Sequence, residues 1–186
     1  MIKERSILTC SRTIVLAILT AGLIGTPAIA ATQQPAPTAD WSAWQFLMGA
    51  WVGEGDGAPG QGQGGFTFAF DLQKRVLVRK NFASYPATKD RPAFTHDDLM
   101  VVYQEAGKPA QAIYFDNEGH VIHYSIEFSK DGDSVIFLGD PSPSAPRFRL
   151  TYVKSGSDAL GIKFEIAPPG KPDAFAPYIN ARVHRK

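Results

Sequence analysis

The chain has 186 residues, with 19 lysines and arginines against 18 aspartates and glutamates. Charge so evenly balanced gives no electrostatic case for a nucleic-acid partner or an anionic membrane surface. A single cysteine excludes a disulfide framework.

In chain order, Lys3, Arg5 and Arg12 precede an apolar run from Thr13 to Ile24, and Ala28 and Ala30 stand at the small-residue spacing of a signal-peptidase site. Residues 1–30 therefore read as a signal peptide cleaved after Ala30, and the mature protein is expected to be exported, periplasmic or secreted. The run holds about a dozen apolar residues against the roughly 20 a spanning helix needs, so no integral membrane segment is expected in the mature chain. Cys10 leaves with the signal. The mature chain keeps 16 basic and 17 acidic residues. Its length suits one domain able to bury a core without staples. Residues 31–40, ATQQPAPTAD, read as a flexible polar leader, and 41–186 as that single domain.

Asp40 can cap a short helix in which Trp41, Trp44 and Leu47 or Met48 fall at helical spacing and which Gly49 ends. Next comes GAWVGEGDGAPGQGQGGF, where Gly55, Gly57 and Gly60 satisfy a G-x-G-x-x-G spacing. That spacing marks a dinucleotide loop only when a helix leaves it. Here Phe66, Phe68, Phe70 and Leu72 alternate with Thr67, Ala69 and Asp71, the period of a strand.

The remainder is strand and turn. Ten strands are predicted: 51–55, 65–73, 75–85, 96–105, 111–116, 121–128, 134–139, 147–154, 160–167 and 178–186. Asn117 and Gly119, which tolerate positive φ, make 111–128 a hairpin. Phe148, Leu150 and Tyr152 oppose Arg147, Arg149 and Thr151, giving one apolar and one wet face. The fold class that follows is all-β, an antiparallel up-and-down barrel of about ten strands with a short N-terminal helix. About eight strands already admit one small ligand, so a pocket follows from the count.

The residues of GAWVGEG, namely Gly49, Trp51, Gly53 and Gly55, resemble the G-x-W-x-G-x-G start of nitrobindin-like proteins and, more loosely, the G-x-W of lipocalins and fatty-acid-binding proteins. The short helix before that strand and the Arg-rich closing segment extend the likeness, which also covers uncharacterised exported bacterial proteins with a lipocalin-like barrel. The resemblance implies a calycin-type barrel. In nitrobindins it implies ferric haem held by a histidine near the last strand, with nitric oxide and peroxynitrite chemistry. In PYINARVHRK, Tyr178 stands where that histidine would be; a tyrosinate can also ligate ferric iron, and His184 or His123 are other donors.

The expected partner is a small hydrophobic or amphipathic molecule held inside the barrel, with no cofactor and no catalytic residues; haem b is the alternative cofactor, with Tyr178 and His184 as its ligands. A packed scaffold or inhibitor barrel acting through GAPGQGQGG and PATKDRPA is a third reading, and an enzymatic role stays open. Candidate ligand-binding residues are Trp51, Arg79, Tyr114, His123, Arg149 and Tyr178. Trp51 plugs the closed end. Arg79 or Arg149, if inward, can clamp a carboxylate, as relatives that bind fatty acids do. The alternation favours an outward Arg149. His123 shares a face with Val121, Ser125 and Glu127, and is exposed if Ile122, Tyr124, Ile126 and Phe128 pack inward. His96 and Asp98 share a face but make only two metal ligands, and Asp97 and Asp98 are expected to finish a loop or face solvent.

Overall fold

The computed structural model describes residues 39–53 and 63–186. The expected signal segment, most of the 31–40 leader and the Gly55, Gly57, Gly60 spacing lie outside the described residues. A six-residue 3₁₀ helix, Ser42–Leu47, precedes ten strands. These are β1 (Gly49–Gly53), β2 (Gln63–Asp71), β3 (Val76–Tyr85), β4 (Phe94–Tyr103), β5 (Gln111–Asp116), β6 (Val121–Phe128), β7 (Ser134–Gly139), β8 (Arg147–Lys154), β9 (Ala159–Ala167) and β10 (Ala176–Arg185). Each pairs antiparallel with its chain neighbours, and β1 pairs with β10 as well as β2, so the sheet closes into a barrel. Closure leaves no unpaired edge, which removes the usual template for aggregation. The hairpin predicted over 111–128 forms, with Gly119 at φ +92° carrying its left-handed residue.

Gly64 and Gly65 are required by close backbone approach. A Cβ at Gly65 would sit 2.3 Å from the Trp51 carbonyl oxygen, and one at Gly64 would sit 2.1 Å from that of Phe82. Both sites lie where β2 is pressed between β1 and β3.

The short helix closes one end. Trp41, Trp44 and Leu47 are buried there, and full burial of Leu47 alone contributes about 2 kcal/mol. Asp40 accepts the Ser42 amide at 2.9 Å from one residue before the N-cap; the N-cap position itself is Trp41, without a side-chain cap bond, so Asp40 is not the cap expected from the sequence. The Trp44 ring stands edge-on to Phe128 at 5.0 Å. The indole N–H groups of Trp41 and Trp51 donate to the carbonyls of Lys74 and Leu47, both at 2.8 Å, so neither buried ring strands a donor. Above the helix, Trp51, Phe66, Phe68, Phe137 and Tyr152 form a belt of ring contacts with centroids 5.5–6.3 Å apart. The barrel is thus filled at its helix end, leaving free volume at the other.

Candidate functional site

That volume is a cavity of about 360 Å³, within the range of small-molecule sites. Its two sides differ in chemistry because the strands differ in pattern. Phe148 and Leu150 on β8, Phe164 and Ile166 on β9, and Ile179 and Val183 on β10 make an apolar wall. Opposite, β3 and β4 turn polar residues inward at alternate positions, and their register sets Asn81 across from Asp98 and Ala83 across from His96.

Arg79 is the deepest of these groups. It is 7 % exposed, and its guanidinium lies 5.3 Å above the Phe66 ring and 6.0 Å from that of Tyr152, so it forms the floor over the aromatic belt. Its Nη1 donates to Asp98 Oδ1, and Asn81 Nδ2 donates to Asp98 Oδ2 at 2.8 Å. Burial opposes the Arg79 charge, but Tyr152, Asp98, Tyr114 and Tyr124 outweigh it and hold its pKa above the usual value. Burial in turn pushes the phenols of Tyr114, Tyr124 and Tyr152 up, keeping them neutral donors at physiological pH. Two buried polar atoms here have no hydrogen-bond partner among the described residues: Nε of Arg79 and the hydroxyl of Tyr152. Leaving such an atom unpaired costs about 1–3 kcal/mol.

From Asp98 the network runs to the rim. His96 Nε2 lies 3.4 Å from Asp98 and 3.1 Å from the Tyr114 hydroxyl, while its Nδ1 meets Glu118 at 2.7 Å. Hydrogen bonding to Asp98, then to Glu118, raises the His96 pKa to about 9 against the burial that lowers it. The ring is therefore cationic at neutral pH and donates from both nitrogens. Tyr114 donates to Asp116 at 3.3 Å, and the same carboxylate oxygen meets His120 Nδ1 at 2.8 Å. Partial burial would raise the Asp116 pKa, but donors from His120 and Glu118 hold it below the usual value.

The sequence-predicted residues divide into three groups. Arg79, Tyr114 and Tyr178 line the cavity, Tyr178 at the mouth and 55 % exposed. Trp51 is buried in the belt beneath it, stacked on Phe66 and covered by Arg185 at 4.3 Å. His123 and Arg149 lie on the outer face, away from the cavity. On β6 the residues turned inward are Ile122, Tyr124, Ile126 and Phe128, which leaves His123 exposed. Arg149 is held outside by a two-pronged bond to Glu165 (2.7 and 2.9 Å) over the Phe175 ring, and this pairing raises its pKa and lowers that of Glu165. His184 is also exposed, since its neighbour Val183 takes the inward position on β10.

Asp98 corrects the sequence reading. It is 9 % exposed rather than a loop end facing solvent, because β4 begins at Phe94 and places Asp98 mid-strand. Asn81, Glu118 and His120 were also missed. Asn81 shares Arg79's strand parity, which was a usable signal; Glu118 reaches His96 across 22 residues, which no local pattern reveals. Among the described residues, no group of three or more His, Cys, Asp or Glu is placed to hold a metal ion, and no helix is long and apolar enough to cross a membrane.

No family model matches the chain, and no curated protein matches it. Among solved structures it is similar to the crystal structure of Rv2717c from M. tuberculosis, at 15% identity and a TM-score of 0.52, over 81% of this chain and 99% of that one. A likeness at that identity supports the barrel fold and does not place the chain among nitrobindin-like proteins or lipocalins.

Proposed function

We propose that the barrel binds a small amphipathic molecule, with an acceptor-rich head on Arg79 and an apolar body against β8 to β10, and that it does so as an exported protein. The observation that carries this reading is the buried Arg79, whose Nε has no partner, set at the floor of a cavity with one polar and one apolar wall. A carboxylate there would receive guanidinium and phenol donors in a site largely shielded from water, where charge-assisted bonds are strongest. The sequence of residues 1–30 supports export.

The donors suggested for haem do not fit an enclosed ferric haem. His184 and His123 face outward, and Tyr178 sits at the rim more than half exposed.

Native mass spectrometry of the protein as purified, followed by displacement of a neutral fluorescent probe such as phenylnaphthylamine with dodecanoic acid, tests the reading. The expected result is stoichiometric probe binding reversed by the acid. Failure to bind any apolar probe would sink it, as would a haem Soret band lost on Tyr178→Ala.

A further inference from the structure

The cavity has a second arginine, at the opposite end from Arg79. Arg91 lies in the segment between β3 and β4, where a backbone bridge ties it to Thr88 (Thr88 N–H to Arg91 carbonyl, 2.8 Å). Its side chain turns back over the barrel mouth. The guanidinium lies 4.5 Å from the centre of the Phe94 ring and 5.7 Å from that of Tyr85, and these two rings stack on each other at 4.5 Å and 6°. Stacking of this kind fixes a guanidinium plane without using its N–H groups.

Among the described residues those N–H groups lack an acidic partner. Among the described residues no carboxylate comes within ion-pair distance of Arg91, and its Nε is buried without a hydrogen bond. The carboxylates that do line this region are engaged elsewhere: Glu118 by His96, and Asp116 by His120 and Tyr114. Arg91 nonetheless borders the cavity.

The two arginines are too far apart to share one head group. Arg79 and Tyr85, which Arg91 overlies, are separated by six steps of β3, about 20 Å of strand, or about 15 Å along the barrel axis at a usual tilt. Between them the β3 side of the cavity presents Asn81 and the small Ala83, facing the apolar wall.

We propose that the mouth is a second anion-recognition site and that the ligand is a bipolar amphiphile: one acidic end on Arg79, an apolar spine along β8 to β10, and a second acidic end on Arg91. This rests on the cavity being a ligand site, and it specifies the class of ligand.

The test compares dodecanedioic acid with dodecanoic acid as displacers of phenylnaphthylamine, on the full-length protein and on Arg91→Gln and Arg91→Lys, with thermal unfolding to confirm that each variant is folded. On the unmodified protein the diacid should bind about tenfold more tightly than the monoacid, the lower end for a charge-assisted bond near solvent. In Arg91→Gln that advantage should vanish while monoacid affinity stays within about twofold. Arg91→Lys, which keeps the charge without the planar stack, should retain a diacid preference. Equal affinity of both acids for the unmodified protein overturns the proposal and leaves the single-headed ligand standing. Equal weakening of both acids by Arg91→Gln, or loss of the preference in Arg91→Lys as well, assigns Arg91 to packing against Phe94 and overturns it too. Absence of probe binding altogether removes the ligand-binding reading with it.

Discussion

The Arg79–Asp98 pair offers the sharpest separation of stability from function. Arg79→Met leaves the Asp98 carboxylate buried, but Asn81 and His96 still face it, so the loss should be about 3 kcal/mol, the low end for breaking a buried pair. Asp98→Leu strands the guanidinium, whose Nε is already unpartnered, and should cost about 4 kcal/mol. The double variant removes both charges. It leaves the Asn81 amide unpaired and deprives His96 of one carboxylate, while Met and Leu add apolar contact to Phe66 and Tyr152. Its net loss should be about 1–2 kcal/mol, well short of the sum of the singles, because replacing a buried ion pair by apolar side chains is often close to neutral. Urea unfolding followed by the fluorescence of Trp41, Trp44 and Trp51, all buried at the closed end, measures all three. Dodecanoic acid should bind at least about tenfold more weakly to Arg79→Met and to the double variant, while neutral dodecanol is unchanged. Additive losses in the double variant would show that the two residues stabilise the barrel independently and would refute the coupling between them. Retained preference for the acid would refute the role given to Arg79.

His96 makes stability depend on pH. Its folded pKa of about 9 exceeds the roughly 6.5 of an unfolded chain, so its contribution is complete below about pH 6.5 and is lost as pH rises through 9. With screening at the partly exposed ring that contribution should be about 1–2 kcal/mol, read as the difference in urea stability between the unmodified protein and His96→Gln from about pH 6 to 10; a flat difference refutes it. Gly65→Ala should destabilise by about 3 kcal/mol through its clash with the Trp51 carbonyl, whereas Gly161→Ala, whose Cβ would meet nothing closer than 3.9 Å, should stay within about 1 kcal/mol in thermal melts. Arg149→Ala should cost about 1 kcal/mol at most and leave probe and acid affinities unchanged; weakened binding would contradict its place on the outer face.

The difference between what the sequence discloses and what it withholds comes down to parity. Strand alternation says which residues share a face, and it says which face is inward only when the two sets differ clearly in polarity. On β8 they do: Phe148, Leu150 and Tyr152 against Arg147, Arg149 and Thr151, so the outward Arg149 was legible. On β6, Ile122, Tyr124, Ile126 and Phe128 leave His123 outside for the same reason. The strand count and the short helix were readable too, because the turns between strands carry Gly, Asn, Asp and Pro at the positions that need them. The helix end fills because Trp41, Trp44 and Leu47, spaced for one helical face, are driven out of water into it.

β4 defeats this logic. One set is Phe94, His96, Asp98, Met100 and Val102; the other is Thr95, Asp97, Leu99, Val101 and Tyr103. Each ends in apolar residues and each holds an aspartate, so periodicity cannot choose between them. What decides is register: the segment 86–93 lets β4 pair with β3 so that Asp98 meets Asn81, beside the inward Arg79. That contact spans 17 residues and leaves no trace in composition or local period. A buried arginine and aspartate break the rule that charged residues face water, and a reading built on that rule will place them outside. The polar wall is hardest to see in the sequence because it departs from the patterning that builds the rest of the barrel, and such departures concentrate where a protein has something to bind.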